Sequence, residues 1–232
     1  MARLIVHVEG ATEEEFVGAL LAPYLLARGW EQVAAYRMGR ARSRERRYGV
    51  KGWDVALDGI LRHLQGDPGC CVTTLVDYYG LPSTGPRAWP GRAEANAQPF
   101  AVRGRFVQEA MLSDVARELG GAFPARRFIP FVVMHEFEGL LFSDPEQFGE
   151  GIGRPDLAPR LRAIREAFNS PEEINDSPVT APSKRVTDLA PGYDKPFHGP
   201  LAALQIGLAA IRAACPHFRQ WLERLEAWPS SD

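Results

Sequence analysis

The sequence LIVHVEGATEEE, Leu4–Glu15, joins a strand to a helix through an acidic turn. Its first five residues have the character of a short β-strand. Thr12 is a suitable N-cap, and Glu15 three residues later completes a capping box, so a helix is expected to begin here. Glu9 therefore lies where the strand ends, and Gly10 gives the turn a backbone freedom that other residues lack.

A carboxylate at the end of a strand has a typical location in open α/β folds. Such folds bind ligands in the crevice at the carboxyl edge of the sheet. Glu9 is expected to point into that crevice, and Glu13, one turn into the helix, can face it as well. We therefore interpret the rest of the chain as completing a site around Glu9.

Composition limits the class of protein. The 232 residues are 45% hydrophobic and 24% charged, which predicts one large domain, or one domain with a helical appendage, able to bury a core. The net charge of −2 means that nucleic-acid binding must rest on local patches. Three cysteines without CxxC spacing predict neither a disulfide framework nor a zinc site. With no signal peptide and no run of ~20 apolar residues, we predict a cytoplasmic protein without a membrane span.

Hydrophobic periodicity gives the order β-α-β-α-β-α-β followed by helices. This order predicts an α/β protein with a mostly parallel, four-stranded sheet flanked by helices. Residues 1–145 form the expected core, and residues 146–232 form a helical C-terminal extension packed on it. The expected strands are Leu4–Val8, Gln32–Arg37, Cys70–Val76 and Arg127–Met134, and the main expected helices are Glu13–Arg28, 53–64, Val102–Leu119, Leu201–Ala214 and His217–Ala227.

Three further acids follow expected strands. The apolar run CCVTTLV, Cys70–Val76, ends in Asp77, and Glu136 and Glu138 follow the fourth strand. Two carboxylates about 4 Å apart repel by about 4 kcal/mol at an effective dielectric near 20, so a crevice that gathers several must bind protons or a cation. Oxygen ligands favour Mg²⁺, Mn²⁺ or Ca²⁺ over Zn²⁺. Glu13 and Glu138 can equally be ordinary acids on helix surfaces.

Several common catalytic motifs are absent from the sequence. His135-Glu136 does not start an HExxH motif, because Gly139 stands where the second histidine is needed. The sequence also has neither a P-loop nor a GxSxG nucleophile elbow. Zinc hydrolysis by the HExxH route and a P-loop ATPase are therefore excluded on motif grounds.

Basic residues suggest where an anion would bind. The arginine-rich segment Arg37–Lys51 holds one acid, Glu45, and can be a solvated loop or an arm that binds phosphate oxygens of a polyanion. Two downstream lysines, Lys184 and Lys195, lie in turn-rich contexts, and either can bring a positive charge to a phosphate. The arginines of the segment that we consider nucleic-acid-binding are Arg40, Arg42, Arg44, Arg46 and Arg47.

Together these motifs resemble the TOPRIM-like proteins, and specifically the family called domain of unknown function 4276. TOPRIM domains occur in topoisomerases, primases and the overcoming-lysogenization-defect nucleases. The resemblance covers nearly the whole chain, and its HEFEGLLFSD segment is fairly specific. The matching segments are Val8–Glu14, the arginine-rich stretch through Arg47, Val76–Pro82, Phe128–Asp144, Pro182–Arg185, Tyr193–Lys195 and Cys215–Leu222.

The resemblance implies a Rossmann-like core and acidic residues that hold one or two Mg²⁺ ions for phosphodiester chemistry. Glu9 matches the strand-end glutamate, Glu13 the second acid of the nuclease version, and Asp77 the first aspartate of the Asp-x-Asp motif. Tyr79 stands in place of the second aspartate, which removes one expected metal ligand.

Other residues can fill the remaining roles that the resemblance implies. Glu136 or Glu138 can supply the ligand that the Asp-x-Asp motif lacks here, and Lys184 or Lys195 matches the downstream lysine of the overcoming-lysogenization-defect nucleases. Those nucleases carry an ATPase domain that this sequence lacks, which implies a separate ATPase subunit, as in bacterial anti-phage systems.

The leading hypothesis is a Mg²⁺-dependent TOPRIM-type nuclease, with Mn²⁺ as a substitute cofactor, in an anti-phage or DNA-processing system. The first alternative is a catalytically weak or inactive regulatory subunit of an ATPase complex, which the substitution at Tyr79 favours. The second is a phosphatase or nucleotidyl transferase that acts on small nucleotides. Each hypothesis leaves a homo-oligomer open.

Overall fold

A parallel sheet organises the chain in the computed structural model, which describes residues 2–39, 52–174, 177 and 179–230. The strand order is β2-β1-β3-β4, and β5 also pairs with β3. Every pairing among these strands is parallel, so the expected α/β class is confirmed. The strands are β1 Arg3–Val8, β2 Gln32–Arg37, β3 Cys70–Asp77, β4 Phe128–Ile129 and β5 Val132–Val133.

Helices connect and cover these strands. In chain order they are α1 Ala11–Phe16, α2 Ala22–Leu26, α3 Trp53–Gly66, α4 Arg92–Ala95, α5 Phe100–Leu119, α6 Phe137–Leu141, α7 Pro145–Gly151, α8 Ala158–Glu166, α9 Pro182–Leu189, α10 Lys195–Ala214 and α11 Pro216–Ala227. Of the arginine-rich segment, Arg37 is the last residue of β2, whereas residues 40–51 lie outside the described residues.

Strand β3 is the centre of the fold. All eight of its residues are buried, which is typical of a parallel strand covered by helices on both faces. Leu4 and Val6 of β1 pack in one hydrophobic core, whereas Val72 and Val76 of β3 pack in another. Because successive side chains of a strand point to opposite faces, the sheet separates these two cores.

The first core joins the two parts of the chain that the sequence divides at residue 145. It contains Leu4 of β1 together with Phe218 and Leu225 of α11. Helix α10 also packs against α1, α6 and α7. The C-terminal helices therefore share a core with the sheet, and the division at residue 145 stays a prediction.

The fourth expected strand differs from the prediction. Pro130 has no N–H and interrupts it, so the expected single strand becomes β4 and β5, and the sheet has five strands instead of four. The hydroxyl of Thr74 donates to the carbonyl of Phe131 at 2.8 Å and accepts its N–H at 2.9 Å. A side chain of β3 therefore supplies the hydrogen bonds that the interrupted strand loses.

The first helix begins earlier than the expected capping box. Gly10, not Thr12, is the N-cap residue, and Glu13, not Glu15, reaches back to the Gly10 N–H at 3.1 Å. Thr12 is buried. The helix passes through a π-helical stretch, Val17–Leu21, directly before α2, which places Pro23 in the first turn of α2.

The helices of the described residues were compared with the length and apolar composition of a membrane span. Among the described residues no helix alone has the length and apolar composition of a span, although α10 and the segment Pro216–Ser230, bent by 98°, pass together on length and composition. In this structure the pair contributes Ala202, Ile211 and Trp221 to the first core.

Candidate acidic site at the carboxyl end of the sheet

Parallel pairing brings two strand-end acids to the same edge of the sheet. Val8, the last residue of β1, pairs with Leu75 of β3, so Glu9 and Asp77 lie at neighbouring strand ends. Oε1 of Glu9 accepts a hydrogen bond from the backbone N–H of Asp77 at 2.9 Å. The expected convergence of these two residues is therefore present in the fold.

Asp77 connects three elements. Its carboxylate is largely buried, and Oδ1 accepts the backbone N–H of Phe137, the first residue of α6, at 2.8 Å. Oδ2 lies 3.2 Å from the Nζ atom of Lys195, the first residue of α10. The end of β3 is thereby tied to the beginnings of two helices.

Glu138 is the second partner of the lysine. It is fully buried in α6, and its Oε2 atom lies 2.9 Å from Nζ of Lys195. Its other oxygen, Oε1, has no hydrogen-bond partner among the described residues. The side chain of Lys195 is 34% exposed, so the ion-pair cluster opens to solvent on the side of the lysine.

Glu13 and Glu136 lie around this cluster in different ways. Glu13 is buried, its Oε2 accepts the Gly10 N–H, and its carboxylate is close enough to Asp77 and Lys195 to interact electrostatically with both. Glu136 is also buried, but its Oε2 accepts the backbone N–H of Ser183 at 3.0 Å, in the first turn of α9.

The acids exceed the positive charge that the described side chains bring to them. Burial, then the charges of Asp77 and Glu13, raises the pKa of Glu9 well above its usual value. Burial, then Asp77, raises the pKa of Glu13 to about 7, and burial also raises the pKa values of Asp77 and Glu138. At neutral pH the cluster therefore favours binding of protons or a cation.

Lys195 is held in its charged form. Burial opposes its charge, but the attraction of Asp77, Glu138 and Glu13 outweighs burial and raises its pKa well above the usual value. A permanent ammonium group at this position lowers the repulsion between the acids without removing it. It is also placed to face an anion that enters from the exposed side.

The donor atoms of this site suit a hard divalent cation, but its described side chains are not arranged to coordinate one. The site offers only carboxylate oxygens, one of them buried without a partner, and oxygen is the ligand that Mg²⁺ and Mn²⁺ prefer. Among the described residues, however, no three His, Cys, Asp or Glu side chains are already positioned to coordinate one ion. Lys195 lies between Asp77 and Glu138 instead.

The structure distinguishes between the pairs of residues that the sequence leaves open. Lys195 joins the acids, whereas Lys184 is exposed on α9 and forms no ion pair with an acid that the structure describes. Glu138 contacts this lysine, whereas Glu136 hydrogen-bonds Ser183. The arginines Arg40, Arg42, Arg44, Arg46 and Arg47 fall in the part of the chain that the structure does not describe.

Sequence reasoning missed the start of α10. We expected Lys195 in a loop, but it is the first residue of α10, a helical segment that is kinked at Gly207, with Pro196 in its first turn. Proline is favoured at the first position of helices, so Lys195-Pro196 carried a signal for a helix start. Tyr193 was also not considered a site residue; its hydroxyl is buried without a partner among the described residues, and the charge of Glu138 acts on it.

These features define a class: an α/β protein with an acidic crevice, holding one lysine, at the carboxyl edge of a parallel sheet. A family model described as "Domain of unknown function (DUF4276)" matches residues 8–226, and the chain belongs to this family. The matched range contains every acid of the site and Lys195. No curated protein and no solved structure matches the chain. The similarity to TOPRIM nucleases stays a prediction.

Proposed function

We propose that this protein is a Mg²⁺- or Mn²⁺-dependent phosphodiesterase of the TOPRIM type, and most simply a nuclease. The observation that carries the proposal is the convergence of four acids around one lysine at the carboxyl edge of the sheet. Open α/β proteins bind ligands at this edge. The four acids come from β1, α1, β3 and α6, and they are Glu9, Glu13, Asp77 and Glu138.

The charge of the cluster supports a divalent ion. Glu9, Asp77 and Glu138 would hold it, and Glu13 would assist from α1; Glu136 is engaged with Ser183. A bound Mg²⁺ or Mn²⁺ ion lowers the pKa of water and offsets charge on a phosphate group.

The chain's own lysine supplies the remaining electrostatic requirement. Lys195 would place its ammonium group against a phosphate oxygen, because its side chain is partly exposed and stays charged. The beginning of α10 fixes the position of its backbone, since its neighbour Asp194 accepts the N–H groups of Phe197 and His198. Lys195, rather than Lys184, is therefore our choice for the downstream lysine.

Backbone contacts to nucleic acid would come from the arginine-rich segment. Arginine contacts to phosphates carry no base specificity, and they weaken steeply as salt rises because counterions are released on binding. The logarithm of the affinity for any nucleic-acid strand should therefore fall linearly with the logarithm of the salt concentration.

We further propose a cytoplasmic location and a separate ATPase subunit, in keeping with an anti-phage or DNA-processing system.

The direct test is cleavage of plasmid DNA, single-stranded DNA and RNA with Mg²⁺ or Mn²⁺. Wild type is compared with Glu9→Gln and Asp77→Asn, and with Glu14→Gln as the matched control. Glu14 lies beside Glu13 on α1 but forms an ion pair with Arg37 outside the cluster. Cleavage by wild type and Glu14→Gln, with loss in the other two, supports the proposal. Equal activity in all four proteins overturns it.

A second candidate is a regulatory subunit without catalysis. Two observations favour it: Lys195 already pairs with Asp77 and Glu138, and Tyr79 replaces an expected acid. Calorimetric titration with Mn²⁺ separates the candidates. Absence of binding, together with a stable complex with a co-encoded ATPase, favours the regulatory subunit, whereas binding that Asp77→Asn abolishes favours the enzyme.

A further inference from the structure

Two buried oxygen atoms beside the acidic site have no hydrogen-bond partner among the described residues. One is Oε1 of Glu138 on α6, and the other is the hydroxyl of Tyr193, two residues before Lys195. Burial of a polar group without a partner is unfavourable, so such atoms in a folded protein need an explanation. The proposed function gives Glu138 a role and leaves Tyr193 without one.

The hydroxyl of Tyr193 lies between α10 and α6. A Cβ atom placed on Gly199 of α10 would be 3.4 Å from this hydroxyl and 3.5 Å from Cε1 of Phe137. Phe137 directly precedes Glu138 on α6, and Gly199 is four residues beyond Lys195, so it lies on the same side of α10 as the lysine. The hydroxyl is therefore close to the helix turns that carry the two partners of the ion pair.

The hydroxyl is also held in place with its proton. The ring of Tyr193 packs against the first core and stacks on the ring of His198 at 5.6 Å between centroids. Its backbone N–H donates to the carbonyl of Ala190 at 2.9 Å. Burial first, and then the charge of Glu138, raises the pKa of Tyr193. At neutral pH the hydroxyl is therefore a hydrogen-bond donor next to a carboxylate.

Binding of a divalent ion would change the partners of Glu138. Its Oε2 atom now lies 2.9 Å from Nζ of Lys195. An ammonium group and a dication repel each other, so the lysine, which is 34% exposed, would turn toward the phosphate when an ion binds between the acids. Glu138 would then give one oxygen to the ion and need a donor for the other, because its side chain is fully buried.

We propose that Tyr193 is a positioning residue for Glu138: its hydroxyl donates a hydrogen bond to this carboxylate when Lys195 releases it, and so orients Glu138 as a metal ligand. This inference rests on the proposed function and adds to it a residue that is neither a ligand nor a phosphate contact. The two side chains do not bond each other in the present arrangement, so the bond forms only when the carboxylate turns.

A purely structural role is the competing explanation, because the ring of Tyr193 packs against the first core. A phenylalanine would fill the same space without burying a hydroxyl that lacks a partner. The position of this hydroxyl beside a fully buried carboxylate favours a role for the oxygen atom itself. The two explanations differ in what removal of this one atom does.

The test is calorimetric titration with Mn²⁺ of wild type, Tyr193→Phe and Tyr36→Phe. Residues that orient a metal ligand typically contribute about 10- to 100-fold to metal affinity, so Tyr193→Phe should bind Mn²⁺ more weakly by that factor. Tyr36→Phe is the matched control, because Tyr36 contacts the rings of His7 and His63 instead of the acids. Its affinity should equal that of wild type.

Urea unfolding gives a second measurement that separates positioning from packing. In EDTA, Tyr193→Phe should be at least as stable as wild type, because the hydroxyl has no partner there to lose. Saturating Mn²⁺ should stabilise wild type more than the variant, since a ligand stabilises a protein in proportion to its binding free energy. A structural role alone would instead lower stability in EDTA and leave Mn²⁺ affinity unchanged.

A double-mutant cycle tests whether Tyr193 acts through Glu138. Glu138→Ala removes the carboxylate, so adding Tyr193→Phe to it should cause no further loss of Mn²⁺ affinity. An equal loss in both backgrounds overturns the inference, and so does a Tyr193→Phe protein that binds Mn²⁺ like wild type. In both cases Mn²⁺ binding by wild type that Asp77→Asn abolishes still supports the proposed function. A wild type that binds no Mn²⁺ overturns both.

Discussion

Glu9 and Asp77 are joined by a hydrogen bond in which the Glu9 carboxylate accepts the Asp77 backbone N–H at 2.9 Å. The bond links the ends of β1 and β3, so Glu9 has a structural role in addition to the negative charge that its carboxyl group can carry. Burial and the nearby acids make that charge costly, as the raised pKa of Glu9 indicates. The structural role needs only an oxygen acceptor, which a glutamine side chain also offers.

We therefore predict that Glu9→Gln separates stability from activity. The amide oxygen keeps the bond to Asp77, and the loss of a buried negative charge relieves repulsion, so the free energy of unfolding should equal or exceed that of wild type. Cleavage should fall by about 100-fold or more, because loss of a metal ligand costs at least as much as loss of the groups that orient it. Urea unfolding and a cleavage assay measure the two effects, with Glu14→Gln unchanged in both. A strongly destabilised Glu9→Gln protein contradicts this account.

Lys195 gives a second prediction, which concerns stability. Lys195→Met leaves the buried Glu138 and Asp77 without their cation, and breaking such pairs is destabilising. Because the lysine is partly exposed, we expect a loss of about 1–3 kcal/mol at pH 8, less than for a fully buried pair.

The loss should be smaller at pH 5, where the unpaired carboxyls take up protons. Lys184→Met, on the exposed face of α9, is the control and should stay within about 0.5 kcal/mol of wild type. Adding Glu138→Gln to Lys195→Met should restore part of the loss. Equal effects of the two single lysine variants in urea unfolding would show that the ion pairs contribute nothing to stability.

Parts of this site follow from local sequence rules, and parts do not. The meeting of Glu9 and Asp77 was predictable, because carboxyl ends of parallel strands share one edge, and each strand is visible as an apolar run. The choice of Lys195 over Lys184 was not predictable, because both lysines stand near helix starts. Only the path of the C-terminal helices brings Lys195 to the acids.

The misplaced helix start has a similar cause. Thr12 has the chemistry of an N-cap, yet its methyl group packs close to Gly199 of α10, where a Cβ atom would lie 3.1 Å away. That contact joins residues far apart in the chain, so no local pattern indicates it. The N-cap role passes to Gly10. Local sequence rules therefore located the helices and strands. Contacts between distant residues determined which side chains are buried and which residue caps the helix.

Glu13 gives a third prediction, on the pH dependence of stability. Its pKa is raised to about 7 in the folded protein, first by burial and then by Asp77, above a usual value of 4.5. Between these values the folded state binds a proton that the unfolded state releases, so this residue's contribution to stability falls as pH rises from 4.5 through 7. We expect wild type to lose on the order of 2 kcal/mol between pH 5 and pH 8 that Glu13→Gln does not lose. Urea unfolding at the two pH values measures the difference, and parallel curves for the two proteins contradict it.

His7 gives the last prediction, and its sign is opposite. His7 is fully buried in β1, with Nε2 2.9 Å from Nδ1 of His63 on α3. Burial first, then the charges of His63 and Arg62, lowers the pKa of His7 to about 3 from 6.5. Below pH 6.5 the unfolded chain binds a proton that the folded chain excludes, so the contribution of His7 to stability falls as pH drops toward 3.

His7→Gln should remove this acid-dependent loss, because glutamine does not titrate. Between pH 7 and pH 5 we expect wild type to lose about 2 kcal/mol that His7→Gln keeps, whatever the cost of the substitution itself at pH 7. Glu13 gains stability over the same interval, so the two effects oppose each other in wild type. Glu13→Gln should therefore be more sensitive to acid than wild type, and the double variant Glu13→Gln/His7→Gln less sensitive than Glu13→Gln. Urea unfolding at pH 5, 6 and 7 ranks the four proteins by the free energy of unfolding that each loses in acid. A double variant that loses as much as Glu13→Gln would show that His7 does not cause this loss.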